Sequence, residues 1–152
     1  MKIVFHLDWI RSGKAEAKSF KHAAAYDLFT EYTKRIHPFA PCELEGALQR
    51  KAIGKTPVKI WVCDRGTGSR MLSSEDLARR LTQVMDTSAK RISLVIGGPD
   101  GFTDPEMAEL QPDLRWCFGP LTLPHELAAV VAAEQLYRAF TILKGQPYHK
   151  GH

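Results

Sequence analysis

The sequence predicts an α/β domain built on a largely parallel sheet. Three observations carry this. Short runs rich in β-branched and aromatic residues, above all VKIWVC at Val58–Cys63, alternate with longer helical patterns. Strands separated by helices imply βαβ units, whose strands run parallel. The glycine pair Gly97-Gly98 closes the apolar run Leu94-Val95-Ile96. Glycine at the carboxyl end of a buried strand lets a ligand approach the backbone, and in open α/β sheets ligands sit at that end.

The elements follow in order. Residues 3–7 form a first strand. The stretch MKIVFHLD is too short and too soon acidic for a signal peptide, so the chain is expected to stay in the cytoplasm. A helix is expected over 15–36, with Phe20, Ala24, Leu28 and Tyr32 as its apolar stripe and Pro38 ending it. Leu44 falls in a short strand, and 46–57 is a basic, irregular connection. Val58–Cys63 is a strand and 64–71 a loop. Ser73 caps the next helix, with Glu75 and Asp76 where negative charge suits the helix dipole and Leu77, Leu81 and Val84 facing inward. A strand follows at 92–96. Five of the nine prolines lie between Pro99 and Pro124, which predicts ordered loops and short elements, with short strands at 114–118 and 121–123. The last helix covers His125–Leu143, and Gly145 ends it.

With 152 residues, residues 1–152 are expected to form one domain. The 44% apolar and 25% charged fractions are those of an ordinary globular protein. A net charge of +4 suits a polyanionic partner. Lysines and arginines crowd the first sixty positions, as a solvated face or as phosphate contacts. Three widely spaced cysteines without a Cys-x-x-Cys pair predict neither a zinc site nor a disulfide framework. Cys63 and Cys117 read as small buried hydrophobes. RGTGSR (65–70) lacks the third glycine of a dinucleotide fingerprint, and GGPDG lacks the Lys-Ser/Thr of a phosphate-binding loop. Read alone, Gly97–Gly101 is either a tight turn or a ligand loop. His125 is either a surface histidine at a helix start or a site residue, and Arg138 either solvated or functional.

Several motifs in order resemble the RlmH family of SPOUT-class methyltransferases. They are IGGPDG (96–101), LTLPH (121–125), QLYRAF (135–140) and PYH (147–149), with DRG (64–66) and LSSEDLARRL (72–81) upstream. The resemblance is dense from about Val58 onward and thin before it. It implies a SPOUT-type sheet with a C-terminal trefoil knot. It implies S-adenosylmethionine as cofactor, bound by Cys63, Gly97, Phe118, Gly119, Pro120, Leu121, Thr122 and Leu123. Backbone groups there would read the adenine edge while apolar side chains cover its faces. Cys63 stands where the family usually has leucine, and Phe118 is bulkier than is common. His125, Arg138, Tyr148 and His149 resemble active-site positions.

The activity implied is methylation of N3 of a pseudouridine in large-subunit ribosomal RNA, free or in the assembled ribosome. The imide proton must leave. His149 or His125 can take it, since an unperturbed imidazole titrates near pH ~6.5. Arg138 can stabilise the charge developing on the uracil oxygens. No metal is required, because the sulfonium is already a good leaving group. Ala128, Ala129, Ala132, Ala133 and Ala139 make one side of the last helix slim, either for core packing alone or, as the resemblance implies, for a homodimer through that helix. The chain departs from the family in two places. The stretch between Glu45 and Val58 is short, and Asp8-Trp9-Ile10-Arg11 replaces the usual valine-glycine-lysine turn. Two other readings stay open: a non-catalytic knotted dimer that binds RNA, and a methyltransferase for a different RNA.

Overall fold

The computed structural model describes residues 1–11 and 13–151. Its strands are β1 (Lys2–Leu7), β2 (Cys42–Glu45), β3 (Val58–Cys63), β4 (Arg70–Met71), β5 (Arg91–Ile96) and β6 (Leu114–Cys117). They form one sheet in the order β2-β1-β5-β3-β6-β4, and every pair of neighbours is parallel. The helices are α1 (Ala23–Ile36), α2 (Ser74–Met85), α3 (Asp104–Leu110) and α4 (His125–Leu143). The α/β parallel sheet predicted from the sequence is the one found.

Period-two alternation divides the strand residues between two buried faces. Ile3, Phe5, Leu7, Trp61, Ile92, Leu94 and Ile96 join the main core, which α1, α2 and α4 cover. Ile60, Val62 and Val95 lie on the other face under Leu110, Met107 and Ile53. The parallel arrangement sends the carboxyl ends of β3, β5 and β6 to one edge, where Cys63, Ile96 and Cys117 end their strands.

The first helix begins later than the sequence pattern predicts. Residues 17–19 form only a 3-10 turn, and α1 starts at Ala23. The cause is tertiary. The buried Glu126 carboxylate accepts the backbone N–H groups of Lys21 (2.7 Å) and His22 (3.0 Å), supplying an N-terminal cap from α4. The expected stripe also shifts. Phe29, Thr33 and Ile36 face the core, while Leu28 is half exposed. A strict spacing of four drifts about 40° per step on a helix of 3.6 residues per turn, so Ala24 and Leu28 turn outward. Phe20 is buried, but ahead of the helix, against Trp9, Tyr26 and Phe29.

Two further differences concern short strands. Arg70–Met71 pairs with Trp116 and Cys117, inside what reads as loop, because two residues carry no periodicity. Residues 121–123 form no ladder. They lie between Pro120 and Pro124 and are held from outside, as described below. Of the two readings of the alanine face of α4, the structure takes core packing. Ala129, Ala132, Ala133 and Ala139 are fully buried inside the subunit, letting α4 lie closely between α1 and α2. They are core residues and cannot form a face between copies. Cys63 and Cys117 are half-buried. Burial pushes the Cys63 thiol far above its ordinary range, so it stays protonated.

His6 lies buried on the second face. The Gly46 carbonyl accepts from Nδ1–H (3.0 Å), and Nε2 accepts from the Ser93 hydroxyl (3.1 Å). Arg91 Nε in turn donates to Ser93 (3.0 Å). Burial lowers the His6 pKa below 6.5, against smaller raising effects from Gly46 and Glu45. The unfolded chain therefore binds a proton that the folded one refuses. Stability from this group is complete above the unfolded pKa of about 6.5 and is lost as pH falls towards the lower folded value. Urea denaturation from about pH 7 to pH 5 is expected to show this loss, and His6→Gln to flatten the slope. Equal slopes in the two proteins would remove His6 from the account.

Candidate active site

A cavity of about 560 Å³ opens at the carboxyl edge of β3, β5 and β6. That size suits a drug-sized organic ligand. Cys63, Gly97, Phe118, Leu121, Thr122, Leu123 and His125 all line it, so the structure gathers most of the positions singled out from sequence. Gly119 and Pro120, also singled out, are not among the lining residues. Gly119 has a φ of +109°, which a side chain would strain, and its carbonyl accepts from Cys117 Sγ (3.1 Å). Asp64, Arg65, Phe102 and Trp116 line the cavity too and were not foreseen. Phe102 lies so near the chain that a Cβ on Gly97 would stand 2.9 Å from its ring.

Arg65 explains how a loop without a ladder keeps its shape. Its Nη2 donates to the Pro120 carbonyl (2.9 Å), and its Nη1 to the Thr122 hydroxyl. The neighbouring Asp64 accepts from Arg115 Nε (2.9 Å), tying β6 to the end of β3. His125 also lines the cavity. Its ring packs edge-on against Trp9 at 4.5 Å, and Nε2 lies 3.7 Å from Glu126. The Cβ of Trp9 also lies 3.4 Å from the Cβ position of Gly98. Trp9 thus props up the cavity from outside, through His125 and Gly98.

Arg138, Tyr148 and His149 are also together, but elsewhere. The tail folds back along α4 after Gly145, whose φ of +67° turns the chain. Glu134 organises the group. It accepts from Arg138 Nε (3.0 Å) and Nη2 (2.6 Å) and from the Tyr148 hydroxyl (3.1 Å). The guanidinium also lies 4.8 Å from the centre of the Tyr148 ring. Burial first, then Tyr32 and Glu134, hold the Tyr148 phenol well above its ordinary pKa, so this hydroxyl donates and does not act as a base. Arg138 Nη1 donates to His149 Nδ1 (3.1 Å), since arginine has no acceptor. The proton of neutral His149 therefore sits on Nε2, which donates to Glu75 of α2 (2.6 Å). Gln135 links the same helices, accepting from Ser74 (2.6 Å) and donating to Glu134 (2.7 Å).

Arg138 lies thirteen residues beyond His125 on α4, about 20 Å at 1.5 Å per residue. Ala128, the last α4 residue lining the cavity, is ten residues or about 15 Å short of Arg138, so one subunit holds the cavity and the polar cluster apart. Among the described residues, no three His, Cys, Asp or Glu side chains gather as a metal site.

A family model described as "Predicted SPOUT methyltransferase" matches residues 44–149. The ribosomal RNA large subunit methyltransferase H of Psychrobacter sp. is 37% identical over 147 residues, covering 81% of this chain and 88% of the relative. That of Rubrobacter xylanophilus is 52% identical over 138 residues, covering 78% and 85%. The chain belongs to the RlmH family of SPOUT methyltransferases. Against a third relative of the same name, from Thioalkalivibrio sulfidiphilus, it is 42% identical and spans 65% of that protein's length. A solved "probable methylase family protein" of Haemophilus influenzae shares the fold at a TM-score of 0.51 and 13% identity, over 94% of this chain and 66% of that one.

Membership in the RlmH family accounts for the motifs but not for all their partners. Glu134 and Glu75 escaped the sequence reading. For Glu134 a signal was present, because it precedes Arg138 by four residues on one helix face. Glu75 reads from sequence only as first-turn acid, and nothing local shows that a tail 74 residues away returns to it.

Proposed function

We propose that this chain transfers a methyl group from S-adenosylmethionine to N3 of a pseudouridine in large-subunit ribosomal RNA. It does so in the cytoplasm, as a homodimer and a single knotted SPOUT domain of residues 1–152. The observation that carries the reading is the separation of the cavity from the Arg138–Tyr148–His149 cluster within one subunit. A second copy is what can bring a tail cluster to a cavity. The exposed Leu121 (71%), which lines the cavity, and the exposed Met71 (69%) and Leu127 (45%) provide apolar surface for that copy to cover. No helix among the described residues is long and apolar enough to cross a membrane.

The cavity fits the cofactor chemically. Ile96, Phe102, Leu121 and Leu123 offer apolar faces, and the side-chain-free backbone at Gly97 and Gly98 offers polar edges. When bound, the cofactor supplies a methyl group activated by a sulfonium. The protein's own groups do the rest. Arg138 turns its Nη1 from His149 to a uracil oxygen, where negative charge develops. That exchange frees His149 Nδ1 to take the N3 proton. Tyr148 keeps its proton and positions Arg138 through Glu134. Calorimetry should show S-adenosylmethionine binding. Mass spectrometry of ribosomal RNA from cells lacking the protein should show one methylpseudouridine lost. An unchanged RNA would sink the reading, and loss at another nucleotide would reassign the target.

A further inference from the structure

We propose that Glu75 is a positioning residue of the reaction: its carboxylate fixes the His149 tautomer and stabilises the imidazolium formed when Nδ1 takes the substrate proton. This rests on the reading of His149 as base.

The first turn of α2 supports a role beyond helix capping. Its capping box is complete without Glu75: Ser73 accepts from the Asp76 N–H (3.0 Å), and Asp76 accepts from the Ser73 N–H (3.3 Å). Glu75 turns instead to the tail, where its Oε1 lies 2.6 Å from His149 Nε2. The hydrogen bond from His149 is also the first cause holding the Glu75 carboxyl below its ordinary range, so it is ionised when the histidine must charge. A carboxylate on one imidazole nitrogen sets the tautomer and raises the basicity of the other.

The proton balance is complete. The N3–H proton passes to His149 Nδ1, and the N–H electron pair stays on N3; that nitrogen forms the N3–CH3 bond as the S–CH3 bond of the sulfonium breaks, its electron pair leaving on sulfur as a neutral thioether. His149 becomes an imidazolium donating from Nε2 to Glu75. The groups in contact with it are Glu75 from α2 and Arg138 from α4, and Glu134 of α4 and Tyr148 of the tail lie one hydrogen bond further out, around the same guanidinium. Arg138 opposes the positive charge, and Glu75 is the acid in direct contact that favours it.

The test is single-turnover methylation of ribosomal RNA by the full-length protein and its Glu75→Gln, Glu75→Asp and His149→Ala variants. Glu75→Gln keeps an acceptor oxygen but loses the charge. It should slow turnover about 10- to 100-fold, with cofactor and RNA affinity unchanged, and move the acid limb of the rate profile to lower pH. Glu75→Asp should recover part of the rate. A merely structural contact would be kept by glutamine and would leave the pH profile in place. Wild-type rate and profile in Glu75→Gln, beside an inactive His149→Ala, would overturn the role of Glu75 alone. Full activity in His149→Ala would overturn the base assignment and this inference with it. The capping box itself closes between Ser73 and Asp76, and melting curves taken beside the rates separate lost stability from lost chemistry.

Discussion

Arg138→Ala, or removal of residues 147–152, is expected to lower methylation about 100- to 10,000-fold while leaving cofactor affinity unchanged. The separation of the two sites makes the prediction specific. Neither Arg138 nor the tail lines the cavity, so neither should alter how one subunit binds S-adenosylmethionine. Arg138 uses three nitrogens at once, two on Glu134 and one on His149. Lysine cannot reproduce that fork, so Arg138→Lys should fall closer to alanine than to wild type. Removing the tail also takes away the Tyr148 ring, which packs 4.8 Å from Tyr137. The deletion variant should therefore lose some stability as well, and melting curves must accompany the rates. Methylation at the wild-type rate by either variant would remove these residues from the mechanism. Equal losses in cofactor binding and in rate would make them structural supports of the cavity.

Where the sequence was legible, one local signal decided the outcome. The run VKIWVC gave β3 to the residue, and Pro124 with Gly145 bounded α4. The Ser73 cap with Leu77, Leu81 and Val84 gave α2 its start and its buried face. Where it failed, the deciding partner was distant. Glu126 sets the start of α1 from more than a hundred positions away, which no pattern within residues 15–36 can reveal. Arg65 holds 120–122 in place, so an apolar stretch that looks like a strand stays a loop. Composition alone could not separate alanines that face a partner from alanines that let one helix lie against its neighbours. The burial of Ala132 and Ala133 makes that distinction. The site shows the same division. The cofactor motifs cluster at sheet ends fixed by topology and are readable. The groups that orient Arg138 and His149 meet only once the tail folds back.

Gly97→Val is expected to weaken S-adenosylmethionine binding by at least about 100-fold, at a stability cost of roughly 1–3 kcal/mol. A Cβ at Gly97 would lie 2.9 Å from Phe102 Cε2, well inside the 3.5–4.0 Å separation of non-bonded carbons. Either the ring moves or the backbone does, and both define the cavity wall. Two mechanisms would give this loss. In one, the glycine is needed because the cofactor approaches its backbone. In the other, it is needed because Phe102 packs over it. The pair Gly97→Ala and Gly97→Ala/Phe102→Leu separates them. If the approach of the cofactor matters, alanine at 97 weakens binding with or without the phenylalanine ring. If packing of Phe102 matters, leucine relieves the clash and restores most of the affinity. Calorimetry on the three variants reads the difference directly. Normal binding by Gly97→Val would show that the ligand of this cavity does not use the end of β5, and would move the cofactor site away from Gly97.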